Sequence, residues 1–159
     1  MNVKIVLEQG GRMPQKATAG AAAYDLYCPK DTLIRHGRNV VALNFRMEMP
    51  LGIQAQVEPR SGFSVKGMEG YPIYWEGYRQ STEVVRMDAD VILGKIDADY
   101  RGICGVIVYS RSKSDFILKE GTRFAQLTFQ KVETADFSVV DQLETTDRGE
   151  GGFGHSGTK

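Results

Sequence analysis

Residues 41–58 read VALNFRMEMPLGIQAQVE, and their apolar positions recur at every second residue. Val41, Leu43, Phe45, Met47 and Met49 alternate with Ala42, Asn44, Arg46 and Glu48. A period of two turns successive side chains to opposite faces, so this run is a half-buried strand and not a helix. Pro50-Leu51-Gly52 turns the chain. Ile53, Ala55 and Val57 then alternate with Gln54, Gln56 and Glu58. The spacing predicts a second strand and an antiparallel hairpin that joins the two.

The flanking segments carry the same signature. Residues 3–7 predict a first strand, which Gly10-Gly11 and Pro14 end. Residues 16–26, KATAGAAAYDL, are rich in small side chains and fit a helix or a close-packed extended segment equally. Residues 116–118, 123–129 and 137–140 predict three more short strands. No segment carries a convincing helix longer than about ten residues. Short strands with turns between them argue an all-β sandwich or a barrel-like jelly roll.

A chain of 159 residues is one domain with room for a real core. Twenty basic and twenty acidic residues cancel, which leaves no overall positive field to hold nucleic acid. Any bound phosphate must therefore be held by a local constellation. Cys28 and Cys104 match no metal spacing and no disulfide framework, so reduced thiols in a cytosol-like compartment are expected. No apolar run approaches membrane-spanning length, and the N-terminus has no signal-peptide pattern.

Chemistry concentrates in a few places. Residues 94–105, GKIDADYRGICG, set Asp97 and Asp99 beside Tyr100 and Arg101, between the apolar runs 91–93 and 106–109. Glycine, aspartate and the short spacing predict a tight β-hairpin with buried stems, which would hold an acidic tip rigidly. Turn formation alone also selects Asp and Gly, so the tip is either a general base or an ordinary turn. The strand ending at Pro59 runs into Arg60-Ser61-Gly62. Arg, Ser and Gly can together donate to one phosphate, and they also make an ordinary loop. Residues 67–90 are a long excursion without periodicity that holds Trp75, Tyr71, Tyr74 and Tyr78. These aromatics either pack beneath a loop or form a contact surface. The last twelve residues, RGEGGFGHSGTK, set five glycines around Phe153. They fail as a phosphate-binding Walker loop, because the order is Gly-Thr-Lys and no helix follows. They are either a disordered tail or an arm that wraps a ligand, with glycine for close approach, Arg for phosphate and an aromatic for a base.

Five segments stand in one order: AGAAAYDL ending at Leu26, PRSG at 59–62, GKIDADYRG at 94–102, RFAQ at 123–126 and RGEGGFGHSG at 148–157. The series closely resembles the five motifs of the homotrimeric dUTPase family, the dUTP diphosphatases. The resemblance implies a β jelly-roll body over residues 1–147 and a flexible C-terminal arm over 148–159. It implies a homotrimer with shared active sites, each closed by a neighbour's arm. It implies hydrolysis of dUTP to dUMP and pyrophosphate with Mg²⁺ on the triphosphate, which keeps uracil out of DNA and supplies dUMP for dTMP synthesis. No nucleic acid or membrane partner is implied, and the expected location is the cytoplasm (a host's, if the chain is phage-encoded).

Carried over motif by motif, Asp97 orients and deprotonates the water that attacks the α-phosphorus, as an ionised carboxylate can. Tyr100 packs on the deoxyribose and excludes a 2′-hydroxyl. Backbone groups around Lys95, Ile96 and Gly105 read the uracil edge. Arg60, Ser61 and Gly62 hold the phosphates, with Gln126 near the α-phosphate. Asp25 reaches the metal through water, in keeping with the shell that Mg²⁺ retains. From the arm, Arg148 grips the γ-phosphate, Phe153 stacks on uracil, and Gly154, His155 and Ser156 complete the cage.

The chain departs from the family pattern in three places. Ser61 and Asp97 lie 36 positions apart, more than compact members use. The surplus is the 67–90 insert, which resembles inserts of some phage-encoded members and is expected to be peripheral to chemistry, as a surface for a protein partner. Val91 stands where many members have a polar residue near the base pocket, and His155 where serine is frequent. The alternatives are a dCTP deaminase of the same fold, which would need a residue to activate water at the pyrimidine ring and against which the intact arm and IDADYRG segment speak, and a regulatory module acting through the insert.

Overall fold

The structure is a computed structural model and describes residues 1–77 and 79–152. The chain forms β1 (Lys4–Leu7), β2 (Tyr24–Tyr27), β3 (Thr32–Ile34), β4 (Gly37–Ala42), β5 (Phe45–Glu48) and β6 (Ile53–Pro59). The helix α1 (Ser61–Lys66) follows, the one helix among the described residues. Then come β7 (Met68–Tyr74), β8 (Arg79–Gln80), β9 (Val85–Met87), β10 (Ala89–Ile92), β11 (Gly94–Ile96), β12 (Gly105–Ser110), β13 (Phe116–Leu118) and β14 (Arg123–Lys131). The all-β jelly roll is built from small antiparallel sheets, with strand orders β1-β5, β10-β12-β4, β11-β6-β14-β2 and β3-β13-β7-β8, the last with β9 also on β7.

The alternation in residues 41–49 holds to the letter: all five odd positions are buried. They do not form one strand. Asn44 sits at φ 54, the left-handed region that Asn tolerates better than most residues. Its Nδ2 donates to the Gln9 carbonyl at 2.9 Å, which fixes the kink. Upstream of the kink β4 pairs β12, and downstream β5 pairs β1. One amphipathic run thus stitches two sheets around a shared core of Phe45, Phe116, Phe124, Leu26 and Leu127. Truncating a buried phenylalanine such as Phe45 to alanine would cost about 3–5 kcal/mol.

Three expectations are corrected. Residues 41–49 and 53–58 do not form a hairpin: β5 pairs β1, whereas β6 pairs β11 and β14. Pro50-Leu51-Gly52 carries the chain between sheets, so local turn chemistry did not fix the partner. Residues 94–105 do not form a tight hairpin either. Their stem pairs as expected, with Val91 opposite Val108 and Ile92 opposite Ile107. Beyond it the strands part, β11 joining β6 and β12 staying with β4. Residues 137–140 form no strand, and Phe137 and Val139 are fully exposed.

The open choice at residues 16–26 resolves as neither a helix nor a close-packed extended segment until β2: exposed turns and bends lead into that strand, where Asp25 bridges Gln15. The 67–90 insert is an antiparallel ribbon whose base belongs to the core. Met68 and Met87 face each other in register and are buried, while Tyr74 and Trp75 near the tip are exposed. Gly67 joins α1 to the ribbon at φ 83, and a Cβ there would lie 2.6 Å from the Met87 carbonyl oxygen. Only glycine permits so close an approach of helix and ribbon. Among the described residues no helix is long and apolar enough to cross a membrane.

Candidate active site

Strands β2, β14 and β6 lie side by side, and their register places Asp25 opposite Gln126 and Gln126 opposite Glu58. Residues directly opposite share a face, so carboxylate, amide and carboxylate form one row across the sheet. The row lines a cleft of about 440 Å³, together with Arg60, Ser61 and Gly62. The expected phosphate and metal residues of three of the five motifs, distant in sequence, therefore meet where β2, β14 and β6 run side by side.

Asp25 is nearly buried, and a lone carboxylate there would be costly. Two arginines compensate it: Arg60 Nε lies 3.1 Å from Oδ1, and Arg123 Nη1 donates to Oδ2 at 3.2 Å. Arg60 is held in turn by donating from Nη1 to the Arg123 carbonyl at 2.6 Å. Glu58 Oε1 accepts from Thr128 Oγ1 at 2.8 Å and from Gln56 Nε2 at 2.9 Å. Ser61 and Gly62 open α1, which buried Phe63 anchors. As the first helical residues they leave their N–H groups outside the helical ladder, where an anion can accept from them.

A second cleft, of about 220 Å³, lies where β10–β12 pairing ends. Lys95, Ile96, Asp97, Tyr100 and Gly105 all line it, with Ile103 and Cys104. The parting of the two strands explains it. β11 is an edge strand that pairs β6 on one side only, and β10 pairing stops at Ile107, short of Gly105. Backbone N–H and C=O groups on those open edges face the gap, and such groups must be satisfied. A flat base with its own donors and acceptors can do so. Tyr100 Oη donates to the Ile103 carbonyl at 3.2 Å. Its ring lies against Gly102, where an added Cβ would come within 2.2 Å of Oη. The glycine is thus required for the tyrosine's position. Burial pushes the Cys104 thiol up to about 11 and the Cys28 thiol upward, so neither is a thiolate nucleophile at neutral pH.

The clefts share no residue among those described. Arg148 lines neither, and its Nε donates to the Gly151 carbonyl at 2.8 Å. Phe153, Gly154, His155 and Ser156 lie outside the described residues. Val91 is buried within β10 and lines neither cleft. Sequence reasoning missed Glu58, Lys66, Arg86 and Thr128 in the first cleft. Glu58 and Thr128 were findable as polar positions of alternating strands. Arg86 gave no local signal, because only the folding of the insert brings it there.

A model of the dUTPase family matches residues 9–89 and 87–157. The chain belongs to the dUTPase family. It is 37% identical over 150 residues to the deoxyuridine 5′-triphosphate nucleotidohydrolase of Candida albicans, a match covering 92% of this chain and 82% of that one. In fold it is similar to a mutant dUTPase of Staphylococcus bacteriophage 80alpha solved with dUpNHpp, with a TM-score of 0.77, 20% identity and 98% of both chains covered. It is also similar to a mutant dUTPase from phage phi11 of S. aureus, with a TM-score of 0.72, 18% identity and 91% and 100% covered; that structure details the coordination of a structural Mg(II) ion.

Proposed function

We propose that the chain hydrolyses dUTP to dUMP and pyrophosphate. One observation carries the proposal: residues of the second, third and fourth dUTPase motifs, and Asp25 of the first, fall into just two clefts, one suited to phosphate and one to a base. The relatives do not favour the deaminase alternative, since they are named as nucleotidohydrolases.

In this reading the open backbone edges at Lys95, Ile96 and Gly105 pair with uracil, and Tyr100 closes on the sugar. Asp97 accepts a proton from water as that water attacks the α-phosphorus; the bond to the bridging oxygen breaks, and pyrophosphate leaves with the electron pair. Arg60, Ser61 and Gly62 bind the phosphates, with Gln126 beside the α-phosphate. Arg148, Phe153, Gly154, His155 and Ser156 close the site and exclude bulk water. Catalysis is then mostly positioning and charge neutralisation.

Mg²⁺ suits the cleft. Among the described residues no group of three or more His, Cys, Asp or Glu could cage a metal. Asp25, the one expected metal contact, lines the cleft and would hold through water an ion bound chiefly by substrate phosphates. When bound, the ion would neutralise phosphate charge.

A homotrimer with shared sites is supported by the separation of the two clefts, since a site needing both would draw them from different protomers. A cytosolic setting agrees with two free, buried cysteines. Pyrophosphate release measured across dUTP, dCTP, dTTP and UTP, with and without Mg²⁺, tests the activity. Selective release from dUTP is expected. Ammonia release from dCTP, or no preference among the four, would sink the reading.

A further inference from the structure

We infer that Arg86, supplied by the insert, is a substrate-positioning residue that binds the leaving pyrophosphate portion of the nucleotide. The inference rests on the first cleft being the phosphate site. Arg86 lines that cleft alongside Arg60, Ser61 and Gly62 although 25 positions separate it from Ser61.

Its placement is built. In the ribbon, Glu69 lies opposite Arg86 in register, and Arg86 Nη2 pairs with Glu69 Oε1 at 2.6 Å. Nη1 donates to the Gly67 carbonyl at 3.3 Å. The guanidinium stands 5.9 Å from the centre of the Phe63 ring, and Arg60 stands 5.9 Å from the same ring. One buried aromatic on α1 therefore gathers two cations to one cleft. Gly67 makes this possible by letting the Met87 backbone press against the helix end.

The charge balance gives the ligand. Arg60, Lys66 and Arg86 line the cleft against Asp25 and Glu58. Asp25 is already answered by Arg60 and by Arg123. Glu69, the partner of Arg86, is not among the lining residues, and their pair is about half exposed. Such an exposed pair is weak. A polyphosphate entering the cleft offers the guanidinium more charge and two oxygens at once, so Arg86 can exchange Glu69 for phosphate at little cost. The β- and γ-phosphates carry most of the substrate's charge and suit the part of the cleft where Arg86 and Lys66 stand. The insert is thus a contributor to binding rather than a bystander.

Calorimetric titration of inorganic pyrophosphate and of dUMP into the full chain, beside steady-state dUTP kinetics, tests this. Arg86→Gln should weaken pyrophosphate binding and raise KM for dUTP about tenfold, as loss of a charge-assisted hydrogen bond does, and leave dUMP binding unchanged. Arg86→Lys should recover part of the loss. Glu69→Gln breaks the same pair from the other side and should leave KM unchanged or lower. Unchanged pyrophosphate affinity in Arg86→Gln, an equal loss for dUMP, or the same defect in Glu69→Gln would each overturn the inference. A wild-type chain that binds pyrophosphate through Arg86 without hydrolysing dUTP would instead overturn the proposed function and leave this assignment standing.

Discussion

Asp97 and Arg60 stand at opposite ends of one strand. β11 runs antiparallel to β6 with Ile96 opposite Ala55, so Asp97 follows at the start of β6, while Arg60 follows Pro59 at its end. From Ala55 to Arg60 the strand rises roughly 17 Å. A general base must come within hydrogen-bond reach of the water it activates, about 3 Å. One protomer therefore does not readily serve one phosphate chain with both residues.

Complementation follows from that separation. Asp97→Asn keeps the second cleft and removes the proposed proton acceptor, so kcat should fall about 10³-fold with nucleotide binding largely kept. Arg60→Gln should be crippled in binding, and less stable by about 1–3 kcal/mol because Asp25 loses one of its two cations. Refolding the two variants together at equal concentration should restore about a quarter of wild-type activity, if each site takes Asp97 from one protomer and Arg60 from another. No recovery in a mixed oligomer confirmed by mass would put both residues of a site in the same protomer.

The Tyr100–Gly102 contact predicts a specificity change from a residue outside the cleft lining. A methyl group at position 102 would overlap the Tyr100 Oη and Cζ, at 2.2 and 2.5 Å. The ring must swing off, which opens the sugar side of the cleft. Gly102→Ala should therefore reduce the preference for dUTP over UTP, measured as the ratio of kcat/KM values, by at least about tenfold, and Tyr100→Ala should do the same. An unchanged ratio in both would remove Tyr100 from sugar selection.

The buried thiols predict a loss of stability at alkaline pH. Cys104 is raised from 9.0 to about 11 by burial, so its neutral form is favoured in the folded chain. The unfolded chain releases that proton first. The stabilisation is complete below pH 9 and is lost as pH rises through about 11, with Cys28 adding in the same direction. Urea unfolding from pH 8 to 11 should show stability falling by roughly 2–3 kcal/mol, and Cys104→Ala should flatten the slope even though it lowers the starting value. A slope identical in the variant would assign the effect to other groups.

Much of this was legible in the chain, and the gaps share a cause. Alternation at residues 41–58 identified the strands and the buried face, because a side-chain period is local. It did not reveal strand partners, because β5 and β6 find theirs at β1, β11 and β14, far along the chain. Asn44 broke a strand that its neighbours' pattern continued without interruption, since the left-handed kink leaves the odd residues facing the core. The dUTPase motifs located Asp25, Arg60, Gln126 and Tyr100 individually. That the first three share a cleft while Asp97 and Tyr100 occupy another is a matter of register. Arg86 was invisible, because a lone arginine in an aperiodic insert acquires meaning only once Gly67 and the ribbon bring it beside Phe63.

The unformed strand at 137–140 bears on assembly. Phe137, Val139 and Leu143 are 96%, 102% and 86% exposed in the protomer, in a segment where every described residue from 131 to 150 is exposed. Leaving a phenylalanine and a leucine in water forgoes about 1.5–3 kcal/mol for each, which burial against another copy would recover. The segment contributes nothing to the protomer's own core, so its loss should separate assembly from folding. Replacing Phe137, Val139 and Leu143 together with serine should dissociate the oligomer in sedimentation velocity while far-ultraviolet circular dichroism keeps its β signature. Turnover should collapse with the oligomer if the proposed site joins clefts of different protomers. An intact oligomer in the triple variant would show that this segment lies outside the subunit interface, whereas loss of the β signature would place it within the protomer's fold.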